Sequence, residues 1–378
     1  GALMRFVEVR LSDEELTRHG VQHALPQGDD PFELIEGVLD LVPALHARAR
    51  ALAGELEATP PTSAQAGRLL RSKRWIDQLQ ARLATLAASV DDGDTEWVAE
   101  TGRDAAGRTV AFRPVEVAGL ADPLLFRFGE RVLLMSATIL DPATYLRALG
   151  IDPDRAAVIR APSTFPPERR PIRLRPVARL TRHHLASDLP KLVAAVEQLL
   201  REHPHEKGVV HAHTYRIARA IADGLPPDLR PRLRTHASAA DRDAALTSHL
   251  SDRGPTVLIT PSMTEGIDLA DDAARWQAIC KVPYPYLGDP QVAARQAIDP
   301  AWYAWRTCLT VVQAYGRSVR GPNDRAVTYL LDASFPAFVR RERQRLPAWF
   351  LEAIEEPDAE DESDLRTVVG GGGGGGGG

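Results

Sequence analysis

Gly208-Val209-Val210-His211-Ala212-His213-Thr214-Tyr215 is the stretch on which the fold turns. Its first five residues form a short apolar run of the kind that makes a strand buried on both faces. Helical spacing precedes it over Leu189–Arg201 and follows it over Tyr215–Asp223. The same rhythm continues in both directions. Upstream, Val132–Met135 reads as a buried strand, and Asp141–Leu149 as a short helix behind a cap and an N1 proline, Asp141-Pro142. Downstream come helix Ala239–Leu250, strand Val257–Thr260, strand Ala278–Val282, a helix over roughly Ala301–Val319 and strand Ala326–Leu331. Strands alternating with helices at this spacing predict an α/β fold, a parallel sheet covered by helices.

The first third follows another pattern. Phe32–Leu56 and Ala64–Ser89 carry apolar residues at helical spacing, separated by the breaker cluster Thr59-Pro60-Pro61-Thr62-Ser63. Two antiparallel helices are expected. Trp97–Glu100 and Thr109–Val117 predict a hairpin around Gly102–Gly107. The favoured boundary between the two regions lies near Ser136–Asp141.

A length of 378 residues suits two or three domains. The net charge of −5 conceals polarity, because Glu352–Asp364 holds eight acidic residues and no basic one. Gly370–Gly378 is a glycine run that packs no core, and Gly1-Ala2-Leu3 before Met4 reads as a cloning scar. No run of 18 apolar residues exists, and no signal peptide is visible. With only Cys280 and Cys308, a disulfide framework or a Cys-rich metal site is excluded within this chain. A cytoplasmic location is expected. The paired spacing of His203 with His205, and of His211 with His213, favours structural histidines over a metal site, since no third ligand accompanies them.

Three segments could carry chemistry. In Gln313-Ala314-Tyr315-Gly316-Arg317-Ser318-Val319-Arg320, positions 313, 316, 317 and 320 would share one helix face. That face offers an amide, a gap and two guanidiniums suited to phosphoryl oxygens. Strand Val257–Thr260 runs into Pro261-Ser262-Met263-Thr264-Glu265-Gly266-Ile267-Asp268, a turn rich in hydroxyl groups. Ser136-Ala137-Thr138 places small hydroxyl residues at a strand end. Arg160–Arg182 adds seven arginines against Glu168, either a solvated connection or a face for DNA phosphates.

In this order, the segments resemble helicase motifs. Ser136-Ala137-Thr138 is similar to motif III, Gly208–Tyr215 to motif IV, Thr264–Asp268 to motif V, and Gln313-x-x-Gly316-Arg317-x-x-Arg320 to motif VI. The Glu-Gly-Ile-Asp variant, Val282-Pro283-Tyr284-Pro285 downstream and the closing Tyr329–Asp332 point to the DinG/XPD-like branch of superfamily 2 DNA helicases. The resemblance spans about Arg131–Phe338. It implies a RecA-like sheet domain over 141–355, preceded by a mainly helical arch-like domain over 1–118. A motif III strand and connection over 119–140 and an acidic, polyglycine tail over 356–378 complete the division.

The resemblance also implies roles. Arg317 and Arg320 would reach the γ-phosphate of ATP and Gln313 would sense it, with Glu265, Gly266, Asp268 and Gly316 lining the cleft. Thr214, Ser262 and Thr264 would hold DNA phosphates, and Ser136 and Thr138 would couple the two sites. A monomer moving 5′→3′ on single-stranded or forked DNA is implied. Departures are equally plain. No Gly-Lys dipeptide occurs, so there is no P-loop, and neither Asp13-Glu14 nor Asp361-Glu362 opens a magnesium-binding box. ATP and magnesium would be held mainly by an N-terminal half that this sequence lacks, as would the iron–sulfur cluster found in some relatives. The chain therefore reads as the C-terminal part of a helicase, inactive alone. The competing reading is a stand-alone binding module derived from a helicase domain, holding DNA or protein without ATPase activity.

Overall fold

The computed structural model describes residues 4, 7–28, 30–93, 95–104, 107–261, 269, 271–321 and 323–355. They fall into two compact units that interleave along the chain. Gly1–Leu134, Ala143–Ala157 and Tyr286–Trp302 form one, and Met135–Pro142, Val158–Pro285 and Tyr303–Gly378 the other.

The first unit contains β1 (Val9–Ser12), α1 (Asp13–Arg18), α2 (Pro31–Leu39), α3 (Val42–Glu57), α4 (Ala64–Asp92), β2 (Trp97–Asp104), β3 (Gly107–Pro114), α5 (Ala118–Ala121), most of α6 (Pro142–Ala148) and α10 (Pro290–Ile298). The region expected as one helix from Phe32 is broken at Asp40. Pro43 has no N–H to give the preceding turn and its ring would crowd the carbonyl of Leu39. The expected hairpin forms, and β1 adds a strand not foreseen, giving an antiparallel sheet in the order β1-β3-β2. Val9, Leu11, Val110 and Phe112 from this sheet close over Leu34, Leu45, Leu52, Ile76 and Leu83 from the helices. Helix α10 joins this unit because Arg113 grips Asp289 through two parallel bonds of 2.9 and 3.0 Å. Asp289 in turn caps α10 at the N–H of Gln291.

The second unit holds β4 (Ile172–Ala178), α7 (Leu185–Glu202), β5 (Gly208–His211), α8 (Tyr215–Gly224), β6 (Leu233–Thr235), α9 (Arg242–Ser251), β7 (Val257–Thr260), β8 (Trp276–Ile279), most of α11 (Pro300–Tyr315), β9 (Val327–Asp332), α12 (Phe335–Arg341) and α13 (Ala348–Leu351). Its six strands are all parallel, in the order β4-β9-β8-β5-β7-β6. Side-chain alternation sends Tyr329 and Leu331 to one face, with Leu192, Val196, Ile217 and Ile221 of α7 and α8. Leu330 and Ile279 go to the other, with Val311, Phe335 and Phe338 of α11 and α12. Each such side chain contributes about 1.5–3 kcal/mol by leaving water. Gly208 is required where β5 meets β8, since a Cβ there would lie 2.1 Å from the Trp276 ring.

Three expectations need correction. Val132–Met135 forms no strand, and Leu133 and Met135 are 77% and 81% exposed. Among the described residues no neighbouring strand offers it a ladder, and an apolar run alone does not make a strand. Conversely, β4 forms within the arginine-rich stretch, where Arg173 and Arg175 alternate with Ile172 and Leu174. The central helix ends at Tyr315, short of the expected Val319, for a reason given below.

Candidate functional site

Helix α11 buries Thr307, Cys308, Val311, Val312, Ala314 and Tyr315. That face leaves Gln313 half-buried on its flank. Its amide donates to Thr138 Oγ1 at 3.4 Å. The N–H of Thr138 donates to Ser136 Oγ at 3.1 Å, and the indole of Trp305 donates to the carbonyl of Ile139 at 2.9 Å. Two side chains of α11 thus hold the Ser136–Ile139 segment, bringing Gln313, Ser136 and Thr138 together.

Positions 313, 316, 317 and 320 do not share a helix face. The Tyr315 carbonyl, which would accept the Val319 N–H in a continuing helix, accepts instead from the Gln277 amide at 2.8 Å. Arg317 N–H closes back on the Ala314 carbonyl at 3.2 Å, a tightened last turn. Arg320 N–H donates to Asp324 Oδ2 at 3.2 Å. Buried side chains therefore stop the helix and set the course of the arginine-bearing turn. A Cβ at Gly316 would meet only the Val312 and Gln313 carbonyls, at 3.4 and 3.9 Å, so the space beside it admits a close approach.

Below this turn lies a buried polar row. Gln277 also donates to Thr328 Oγ1 at 2.8 Å, and its oxygen lies 3.3 Å from His211 Nε2. An amide oxygen can only accept, so Nε2 carries the proton, and Nδ1 is buried without a hydrogen-bond partner among the described residues. Burial, reinforced by the nearby charge of Arg317, lowers the His211 pKa to about 4. His213 has its pKa lowered to about 4 by burial and by Lys281, and its backbone is left-handed at φ 67°. That geometry costs a non-glycine residue on the order of 1–2 kcal/mol and turns the chain from β5 into α8. Thr214 caps α8, its hydroxyl oxygen accepting from the Ile217 N–H at 3.2 Å. Ser262, Thr264, Glu265, Gly266 and Asp268 lie outside the described residues.

Tyr315 is anchored at its other end by Arg170. The phenol donates to the Arg170 carbonyl at 2.7 Å and accepts from its guanidinium at 3.2 Å. That guanidinium, nearly fully buried, also reaches the carbonyls of Phe165 and Trp349 and the Glu352 carboxylate. Arg170→Ala should lower unfolding stability by about 3 kcal/mol, because several buried acceptors lose their donor at once. Arg170→Lys should recover little, since an ammonium cannot reproduce the fork. A urea midpoint within error of wild type in the alanine variant would refute this.

Three further arginines of the Arg160–Arg182 stretch are also engaged. Arg169 donates to the Asn323 carbonyl, Arg173 pairs with Glu355 at 2.7 Å, and Arg175 pairs with Glu202 while lying over Tyr329. Glu352 and Glu355 thus begin the acidic C-terminal run on the arginines themselves. Four of the seven arginines in this stretch therefore have partners within the protein. Among the described residues no group of three His, Cys, Asp or Glu side chains could hold a metal ion, and no helix is long and apolar enough to cross a membrane. Sequence reasoning missed Gln277, Arg170 and Asp324 as residues of this site. They lie far from the motifs or, for Asp324, just beyond one, and no local spacing signals a buried hydrogen bond.

Comparisons with known proteins agree with this architecture. Residues 196–353 match the family model described as the helicase C-terminal domain. No curated protein matches the sequence. Among solved structures, an apo XPD structure matches at 15% identity and a TM-score of 0.50, over 91% of this chain and 72% of that one. The structure of S. tokodaii Xpd4 matches at 14% identity and a TM-score of 0.51, over 94% of this chain and 72% of that one. At such identities the likeness is one of fold. The family model places a helicase C-terminal domain over the segments that carry the sequence motifs, and the fold is that of the XPD structures.

Proposed function

Residues 196–353 being a helicase C-terminal domain, we propose that the chain supplies the second RecA-like half of an ATP-dependent DNA helicase moving 5′→3′ on single-stranded DNA. The supporting observation is the turn after α11, where Arg317 and Arg320 follow a helix end set by Gln277 and Asp324. Gln313 stands one turn before it, on Thr138.

In this reading the nucleotide lies between this domain and a P-loop-bearing half, on the same polypeptide or another. That half brings magnesium, which neutralises phosphate charge. Arg317 and Arg320 stabilise the negative charge that builds on the γ-phosphoryl oxygens as the bond to the leaving phosphate breaks. Gln313 senses the γ-phosphate by its amide, and its bond to Thr138 passes that state to the Ser136–Thr138 segment. Thr214, with Ser262 and Thr264 after β7, holds DNA phosphates through hydroxyl and N–H donors. Glu265, Gly266 and Asp268 take part in nucleotide binding in this reading.

The 378-residue chain alone should hydrolyse no ATP above background, with or without DNA, because it has neither P-loop lysine nor magnesium carboxylate. It should bind single strands weakly, without sequence preference, at about 0.7 log units per log salt for each phosphate neutralised. Since Arg169, Arg170, Arg173 and Arg175 already have partners, the slope should correspond to only a few phosphates. Fluorescence anisotropy across a salt series measures it. DNA-stimulated turnover by this chain, or binding indifferent to salt, would overturn the reading.

A further inference from the structure

We propose that Asp324 is a positioning residue for Arg320, tying the turn that carries it to Asp271, shortly before β8. The inference rests on the nucleotide reading above and adds a residue to it.

Asp324 is buried, 6% exposed, and both carboxylate oxygens are used. Oδ2 accepts the N–H of Arg320 at 3.2 Å and the N–H of Asp271 at 3.3 Å. Oδ1 accepts the Arg325 N–H at 2.8 Å and the Arg275 guanidinium at 2.7 Å. One oxygen therefore joins two segments separated in sequence, and the other anchors that junction to the start of β9 and to the residue just before β8. Asp271 has a left-handed backbone, φ 55°, a conformation a non-glycine residue keeps only when its surroundings impose it. Burial alone would push the Asp324 carboxyl up, but the three N–H donors and Arg275 outweigh it and hold the pKa below the ordinary range. The carboxylate is thus charged at neutral pH and accepts at every contact.

The consequence is geometric. The Arg320 N–H is held by Asp324 Oδ2, so the carboxylate sets the course of the backbone from which this guanidinium leaves. An arginine that must meet developing charge loses much of its effect if displaced by even about 1 Å, a shift that can reduce turnover as much as 100-fold.

The test uses the assembled helicase with the P-loop-bearing half present. Steady-state ATP turnover with single-stranded DNA is measured for Asp324→Ala, Asp324→Asn, Arg320→Ala and the Asp324→Ala/Arg320→Ala double variant. Urea midpoints are recorded alongside. Asp324→Ala should lower kcat about 10- to 100-fold with KM for ATP within about twofold. Asp324→Asn keeps one acceptor oxygen and should fall in between. In the Arg320→Ala background, removing Asp324 should cost nothing further in kcat, because its effect passes through Arg320. Wild-type turnover in Asp324→Ala, or losses that multiply in the double variant, would overturn the proposal. Should Asp324→Ala not fold, Asp324→Asn alone and combined with Arg320→Ala gives the same comparison. Normal turnover in Arg320→Ala would instead bring down the nucleotide reading, and this proposal with it.

Discussion

Arg317→Ala and Arg320→Ala, made in the assembled helicase, should each reduce ATP turnover by about 10³-fold, the range of lost arginine fingers. The affinity for ATP should change far less. On the proposed nucleotide reading both cations would act most strongly on charge that appears as the phosphoryl group transfers, so their loss would raise the barrier more than it weakens the ground state. Folding should survive, because Arg320 is exposed and Arg317 half-buried. Lysine should rescue poorly at either position, since one point charge does not reproduce a planar fork. Arg317→Ala should have a second signature. Its charge helps to keep buried His211 neutral, so removing it should raise the His211 pKa, measurable by NMR titration. Solvated arginines without a role would leave turnover within about twofold of wild type. That result in both variants would refute the assignment.

The second large effect is expected from acid. His211 and His249 are buried and neutral in the fold, each with its pKa lowered from 6.5 to about 4, chiefly by burial. His249 donates to the Ala273 carbonyl at 2.8 Å and accepts from Thr256 at its other nitrogen, so a second proton would break the Thr256 bond. His213 has the same lowered value. A histidine with a lower pKa folded than unfolded takes up protons preferentially when unfolded. Its stabilising contribution is therefore complete above pH 6.5 and is lost as the pH falls toward 4. Each of the three should account for on the order of 3 kcal/mol across that window. Asp332 works in the opposite sense, because burial pushes its carboxyl up. Asp188, Asp252 and Asp324, held low by N–H donors that outweigh any opposing burial, give way only at still lower pH. Urea midpoints should fall steeply between neutral pH and about pH 4.5, and His249→Gln should flatten the curve. A midpoint constant over that range would disprove it.

Much of this molecule follows from local pattern. The four central strands of the second unit are short, mostly apolar runs, and a run buried on both faces has one architecture open to it, a parallel sheet under helices. Gln313-x-x-Gly316-Arg317-x-x-Arg320, together with the segments before it, was sufficient to identify the helicase domain. Its chemistry resides in residue types at fixed spacing, which a chain displays without folding.

Other features depend on partners distant in sequence. Val132–Met135 has the composition of a strand and is not one, because a strand exists only with a neighbour to bond. Ile172–Ala178 carries two arginines and is a strand, because β9 supplies the ladder and Glu202 and Glu355 neutralise the charges. The helical period runs unbroken through Gly316, yet α11 stops at Tyr315 because Gln277, 38 positions earlier, takes the carbonyl the next turn needs. The types and order of the site's residues were thus determined by the sequence. The direction in which Arg317 and Arg320 leave the helix was decided by buried hydrogen bonds from β8 and from Asp324, contacts that come into being only when the sheet closes.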